Sequence, residues 1–313
     1  MHRLAPLLAA ALVALAGCTF PAFPDPGGVP NPDARGPPPL PGKNLTIHFL
    51  SVGQGDSALL ITPQAKTLLV DAGPSPAAAT VIAYLDQLGV DRLDAFVATH
   101  GDADHIGAVG RRDPNVLLAH PAAVVYDPGY PKTTQTYRIF LETVQATDAE
   151  YRTAEDFNPG DLLPLDPAVS IQFLYPYEVN PRGEPNDEGI VLRVAYGNVS
   201  ILLPGDASTT VERDLLRRPV PLASTLLKVG HHGSRGSTSA EWLTVVSPQL
   251  GILSLGENNY GHPHPETLAR LEAAGVPSYR TDEHGTLVFS TDGETWTLRR
   301  ADTNATLAQG VGP

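Results

Sequence analysis

His100-Gly-Asp-Ala-Asp-His105 places four potential metal ligands within six residues. Imidazole nitrogen and carboxylate oxygen together suit borderline-to-hard divalent ions such as Zn or Mn, and alternating positions let a tight loop aim several of them inward at once. Three further segments share one local pattern, an apolar run ending in residues of ligand type. They are Leu202-Leu-Pro-Gly-Asp206, Leu227-Lys-Val-Gly-His-His-Gly-Ser234 and Tyr260-Gly-His-Pro-His264. Six of the ten histidines fall in these clusters, which random scatter would not produce. His48, His120 and His284 stand apart from them and read as satisfied polar groups. No Gly-x-Ser-x-Gly nucleophile elbow is present, so covalent catalysis has no candidate.

A divalent ion lowers the pKa of a coordinated water from near 16 to about 7, which supplies hydroxide at neutral pH, and two ions can clamp the attacking and leaving oxygens at phosphorus. One or two ions are expected here. Positioning them requires strands that end at the ligands. Leu45–Val52, Ala58–Thr62, Thr67–Val70 and Leu93–Ala98 have the apolar, β-branched or aromatic character of strands, the last running directly into His100. Later strands are expected over Val124–Tyr126, Val169–Leu174, Ile190–Tyr196, Val199–Leu203, Ser224–Val229, Gly251–Leu255 and Thr286–Ser290. Helical spacing is seen over Pro76–Leu88, Thr136–Thr147, Thr210–Arg217, Ala240–Val246 and Pro265–Ala274. Short strands interleaved with helices, without a Gly-rich phosphate loop, point to an α/β architecture of stacked sheets with helices outside.

The His-x-Asp-x-Asp-His motif resembles the His-x-His-x-Asp-His signature of the metallo-β-lactamase fold, with Asp102 in place of the second histidine. More narrowly, Val52-Gly-Gln-Gly-Asp56, Thr99-His-Gly-Asp-Ala-Asp-His-Ile-Gly107, Lys228-Val-Gly-His-His-Gly-Ser234 and Gly261-His-Pro263 resemble the soluble hydrolase domain of ComEC-type competence proteins. The resemblance runs from about residue 45 to 290. It implies a single-domain, four-layer αββα sandwich with the metals at one edge between the two sheets. Residue by residue, it implies a first metal held by His100 and Asp102. Asn186 or Asp187 stands where the fold's usual third histidine would be. It implies a second metal held by Asp104, His105 and His231, with Asp206 bridging the two. Asp71 is expected to fix a ligand by hydrogen bonding, and Asp56 to support the site. His232 reads as a ligand, a hydrogen-bond donor behind one, or a structural residue. His262 and His264 read as proton donors lining a substrate pocket, or as a Pro-rich turn before a helix. Asp104 is also expected to be a catalytic carboxylate. Carboxylates in place of imidazoles favour Mn over the fold's commoner Zn.

The resemblance suggests a phosphodiesterase acting on DNA or nucleotides. Arg235, Lys228, Ser234 and Ser237 around the paired histidines would neutralise and hydrogen-bond a phosphate, or cap a helix and face solvent. A lactone or ester hydrolase on the same fold, or a non-catalytic metal-binding lipoprotein, are the alternatives. With 313 residues, 21 Lys and Arg against 34 Asp and Glu, and a net charge of −13, the long-range field repels polyanions. No basic run and only 6% aromatic residues argue against a duplex groove. A single strand or a nucleotide fits better than a duplex, and no protein partner is expected. No competence-type channel region accompanies these motifs, so DNA import is not expected to carry over.

Met1-His-Arg3 followed by an apolar run over Leu4–Ala16 reads as a signal segment too short to span a bilayer. It ends in Leu-Ala-Gly-Cys18, which resembles the bacterial lipobox, and Cys18 is the only cysteine. Residues 1–17 are therefore expected to be a leader, and residues 18–43, where 13 of the 25 positions after Cys18 are Pro or Gly, an extended tether. The chain would then be held at the cell envelope by its lipid, outside the cytoplasm. The hydrolase domain is expected over 44–300, and the small, polar stretch 301–313 is expected to be a disordered tail.

Overall fold

The computed structural model describes residues 43–313. The expected leader, Cys18 and nearly all of the tether lie outside the described residues. The first six strands, β1 (Leu45–Phe49), β2 (Ala58–Ile61), β3 (Thr67–Val70), β4 (Leu93–Val97), β5 (Ala122–Tyr126) and β6 (Glu150–Arg152), build one sheet. The next six, β7 (Ser170–Tyr175), β8 (Val191–Tyr196), β9 (Val199–Leu203), β10 (Leu226–Lys228), β11 (Leu250–Leu253) and β12 (Ser278–Arg280), build a second. The chain then returns to the first sheet with β13 (Leu287–Thr291), β14 (Thr295–Arg300) and β15 (Thr306–Val311), giving the order β15-β14-β13-β1-β2-β3-β4-β5-β6. The second sheet runs β12-β11-β10-β9-β8-β7.

Strand pleating explains the layers. Leu45, Ile47 and Phe49 of β1, Leu68 and Val70 of β3, and Ile201 and Leu203 of β9 all point into one core between the sheets. The alternate residues point outward. Leu69 and Phe96 bury against helices α1 (Ala78–Gln87) and α4 (Gln135–Ala146), with the one-turn helices α2 (Ala103–Ile106) and α3 (Val116–Ala119) on the same side. Leu202 and Leu227 bury against α5 (Thr209–Leu216), α6 (Ala240–Val246) and α7 (Pro265–Ala273). A last turn, α8 (Thr281–His284), precedes β13. The four layers are the αββα sandwich expected from the sequence. Strands buried on both faces read as continuous apolar runs rather than alternating ones.

Strand direction places the site. In the first sheet β3, β4, β5 and β6 are parallel, and in the second β9, β10, β11 and β12 are parallel. Their carboxyl ends open at one edge of the sandwich, the crevice in which α/β sheets present ligand-binding loops.

The expected tail is a correction. Residues 306–311 form β15, which pairs with β14 at the edge of the first sheet, so the domain continues past residue 300. The side chain of Gln249 accepts from Trp296 Nε1 at 2.9 Å and donates to the Val311 carbonyl at 2.9 Å. Gly310 lies flat on the indole, where a Cβ would come within 2.6 Å of the ring. The composition of this stretch is small and polar because its strand needs only an edge ladder and one close approach. Removing residues 302–313 should uncover Trp296, which is buried and stacked on Phe289. Loss of cover for one large side chain is worth about 1.5–3 kcal/mol, so the melting temperature is expected to fall by several degrees with a red-shifted tryptophan emission. An unchanged melting curve would show that the strand contributes nothing.

Candidate metal centre

Asp71, the first residue after β3, has φ +57°, a left-handed conformation that costs a non-glycine residue energy. The kink turns its carboxylate back across the strand ends. There it accepts from the Thr99 backbone N–H at 2.8 Å, the Thr99 hydroxyl at 2.7 Å and His105 Nδ1 at 2.7 Å. Because the Thr99 hydroxyl donates to Asp71, its oxygen is left to accept from His100 Nδ1, 3.1 Å away. One buried carboxylate therefore sets two imidazoles with their Nε2 atoms outward.

The other side of the cleft comes from the second sheet. β9 leads through Pro204 and Gly205 to Asp206, and β10 leads to the turn at 230–233. His231 and His232 both have positive φ, +47° and +51°, so the chain reverses there and sends the two rings apart. His232 is fully buried and donates from Nδ1 to the Ser254 carbonyl at 2.8 Å, at the end of β11. Asp56 arrives from the loop after β1. Gly55 packs so tightly on the Asp104 carbonyl that a Cβ would lie 2.2 Å from it, at φ +150°, and only glycine admits this approach.

His105 Nε2 lies 3.3 Å from Asp206 Oδ1, and His232 Nε2 lies 3.4 Å from Asp104 Oδ2 and 3.6 Å from Asp206 Oδ2. Asp56, His105, Asp206 and His232 are all buried, and each offers a ligand atom within 4.8 Å of the others. Asp56 Oδ1, Asp206 Oδ1 and the Nε2 atoms of His100, His105 and His232 are buried with no hydrogen-bond partner. An unsatisfied buried polar atom costs about 1–3 kcal/mol, and five of them at one strand-end cleft are hard to explain except by a cation. The donor set fits a divalent ion: imidazoles in the tautomer that leaves Nε2 free, and carboxylates that cancel its charge.

With no ion bound, the buried acids hold protons on two of these imidazoles, which a divalent ion would have to displace. Burial would push Asp206 up, but His232 and His105 outweigh it and hold the carboxyl well below its ordinary range. Asp104 is held down at about 2, against burial, by the His232 ring 3.4 Å from its Oδ2 and by the nearby His105. Burial favours neutral imidazoles, yet Asp206 and Asp71 raise His105 well above its usual value, and Asp206 and Asp56 raise His232 to about 9. Burial and the neighbouring His105 lower His100 to about 3. At the rim, burial and the neighbouring histidines lower His262 to about 4.

The sequence expectations meet this geometry unevenly. His100, Asp104, His105 and Asp206 converge, and Asp71 holds His105 and Thr99 as expected. His231 was expected as the ligand, but its ring is half-exposed, with Nε2 3.5 Å from Asp206 Oδ2, while His232 supplies the buried Nε2. The left-handed turn decides this, and spacing cannot show it. Asp56 stands inside the cluster rather than behind it. Asp102 forms an ion pair with Lys132 through one oxygen and keeps the other 3.7 Å from His100 Nε2. Asn186 lies in the Pro185–Glu188 turn and makes no side-chain hydrogen bond or ion pair with the cluster. Lys228 is buried in an ion pair with Asp56, and Ser237 donates to the Ala207 carbonyl, so neither faces a phosphate. The Ser234 hydroxyl accepts from the Gly236 N–H and braces its own loop. Arg235 is 68% exposed, 3.9 Å from Glu266. His264 precedes α7, its Nδ1 accepting from the Arg235 N–H at 3.2 Å, and its ring sits 4.9 Å from that of His262. Lys132, Ser254 and Asn258 had no local signal. Asn258 bonds the backbone of Gly256, Tyr260 and His262 and so fixes the rim loop.

Residues 51–114 match the model of the metallo-β-lactamase superfamily, the segment that carries Asp56, Asp71, His100, Asp104 and His105. The chain carries a metallo-β-lactamase domain. ComE operon protein 3 of Bacillus subtilis is 29% identical to it over 263 residues, 78% of this chain and 32% of that protein. Competence protein ComA of Neisseria gonorrhoeae is 33% identical over 259 residues, 81% of this chain and 33% of that protein. The chain thus spans about one third of the length of these relatives. Among solved structures, a metal-dependent hydrolase of the β-lactamase superfamily matches with a TM-score of 0.48 at 11% identity, over 76% of this chain and 95% of that one.

In this metallo-β-lactamase domain an ion that binds only the folded state at 100 times its Kd adds about 2.7 kcal/mol of stability. Added Mn or Zn is therefore expected to raise the melting temperature and EDTA to reverse the rise. Asp206→Asn should abolish the shift, because it removes the carboxylate shared by His105, His231 and His232. An equal shift in both proteins would place the ion elsewhere.

Proposed function

We propose that this metallo-β-lactamase domain is a metal-dependent phosphodiesterase acting on a nucleotide or a single-stranded nucleic acid. The observation that carries the reading is the convergence of buried, unpartnered Nε2 and carboxylate atoms from Asp56, His105, Asp206 and His232 at an open strand-end cleft. A divalent ion held by these residues would supply Lewis acidity toward a phosphoryl oxygen and lower the pKa of water. Asp71 and the Ser254 carbonyl keep the His105 and His232 rings from turning. Asp104, one-third exposed, faces the cleft as a carboxylate that stays ionised and would help to hold the ion or orient its water. The competence proteins that share this domain favour a nucleic acid as the substrate class.

The rim supports a short, exposed ligand. Tyr260 is 71% exposed and its ring lies 5.7 Å from that of His262, which in turn lies 5.4 Å from that of His231. This row of rings leads from solvent to the cluster and offers a face on which a base can stack. Arg235, exposed and 3.9 Å from Glu266, stands beside His264 at this rim and could exchange that partner for a phosphate. The net charge of −13 keeps long duplexes away. We further propose that Cys18 carries a lipid and that the domain works outside the cytoplasm at the envelope. Among the described residues no helix is long and apolar enough to cross a membrane.

The purified chain with Mn or Zn is expected to cut a fluorescent single-stranded oligonucleotide. Asp104→Ala should lower the rate by a factor of about 10–100, as loss of a carboxylate that supports a metal centre does. No cleavage with Mn, Zn or Mg, together with turnover of a lactone or ester, would replace the phosphodiesterase reading.

A further inference from the structure

We infer that Thr238 is a positioning residue of the metal centre: with Glu212 and Arg270 it latches the loop after the paired histidines, and so holds His232 and Asp206 to one point. Thr238 is fully buried and left-handed, at φ +57°. Each of its polar groups has a different partner. Its N–H donates to the buried Glu212 carboxylate of α5, and its carbonyl accepts from Arg270 Nε of α7 at 2.8 Å. Its hydroxyl oxygen accepts at 3.1 Å from the N–H of Gly230, the residue that opens the histidine turn. The loop from 230 to 238 is thereby closed on itself and pinned to a helix on either side.

The histidine turn needs such a latch. His231 and His232 are both left-handed, and residues held in that region persist only where their surroundings over-determine them. Here the surroundings do. All carbonyls from residue 233 to residue 238 accept a hydrogen bond, and the Arg270 guanidinium alone supplies those to Arg235, Ser237 and Thr238. The second Glu212 oxygen accepts from the Ser239 N–H at 2.9 Å. The same loop grips the chain on either side of Asp206. The Ser237 hydroxyl donates to the Ala207 carbonyl at 2.8 Å, and the His231 N–H donates to the Gly205 carbonyl at 3.1 Å. His232 Nε2 and Asp206 Oδ2, 3.6 Å apart, therefore take their separation from a backbone that Thr238 closes. Glu212 and Arg270 act through that loop rather than on the ligand atoms.

The inference rests on the centre formed by Asp56, His105, Asp206 and His232, and holds whichever bond the domain cleaves. The test is the dissociation constant of Mn, read from the electron paramagnetic resonance of the free ion, beside the melting temperature of each metal-free protein. Thr238→Val keeps the shape of the side chain and removes the acceptor for the Gly230 N–H. It is expected to bind Mn about 10-fold more weakly, the lower end of what loss of an outer partner costs a metal site. Thr238→Ser, which keeps the acceptor, should bind as the wild type does. Arg270→Lys keeps the charge but not the fork of donors; it should weaken binding in the same direction and covers the case in which Thr238→Val folds poorly. Thr143→Val is the control, because this α4 hydroxyl accepts from Asn115 Nδ2 at 3.0 Å, outside the centre. It should lower the melting temperature and leave Mn binding unchanged. Unchanged Mn affinity in the folded Thr238→Val and Arg270→Lys proteins, or an equal loss in Thr143→Val, would overturn the inference. A wild type that binds no Mn would overturn the centre itself, and the inference with it.

Discussion

The buried carboxylate of Asp71 is the constraint on which the rest of the centre depends. It ties the end of β3 to the Thr99 backbone at the end of β4 and to His105 on α2, and through the Thr99 hydroxyl it also sets His100. A charge in this position is tolerable only with several donors, and it has three. The left-handed backbone at residue 71 is the strain accepted to aim it. Two sheets packed on one apolar core hold this arrangement opposite Asp206 and His232, so the cleft depends on sandwich packing as much as on the ligands themselves.

Much of this was legible in the sequence. Apolar runs that stop at polar residues mark buried parallel strands ending at a site, and His100, Asp104, His105 and Asp206 followed directly from them. What was not legible depends on tertiary geometry. Whether His231 or His232 faces inward is set by two left-handed residues in one turn. Asp102 and Lys132 meet across a loop whose only local mark is the glycine between His100 and Asp102. Asp56 enters the cluster because Gly55 admits a backbone contact with Asp104, a long-range approach that no spacing reveals. The strands β6, β12 and β15 are short or polar edges, defined by their partners rather than by their own residues. The stretch after residue 300 looked like a free tail for the same reason.

Two lysines reach the centre from within the chain, Lys228 on Asp56 and Lys132 on Asp102, and buried imidazole and carboxylate atoms beside both remain unpartnered. The outer rings of His231, His262 and Tyr260 extend the cleft toward solvent.

The most direct test of the account is a crystal of the chain grown with Mn or Zn and measured at the metal's absorption edge. The account predicts an anomalous peak bonded to His105 Nε2, His232 Nε2 and the Asp206 carboxylate. No peak at saturating metal, or one whose ligands exclude His105 and His232, would contradict it.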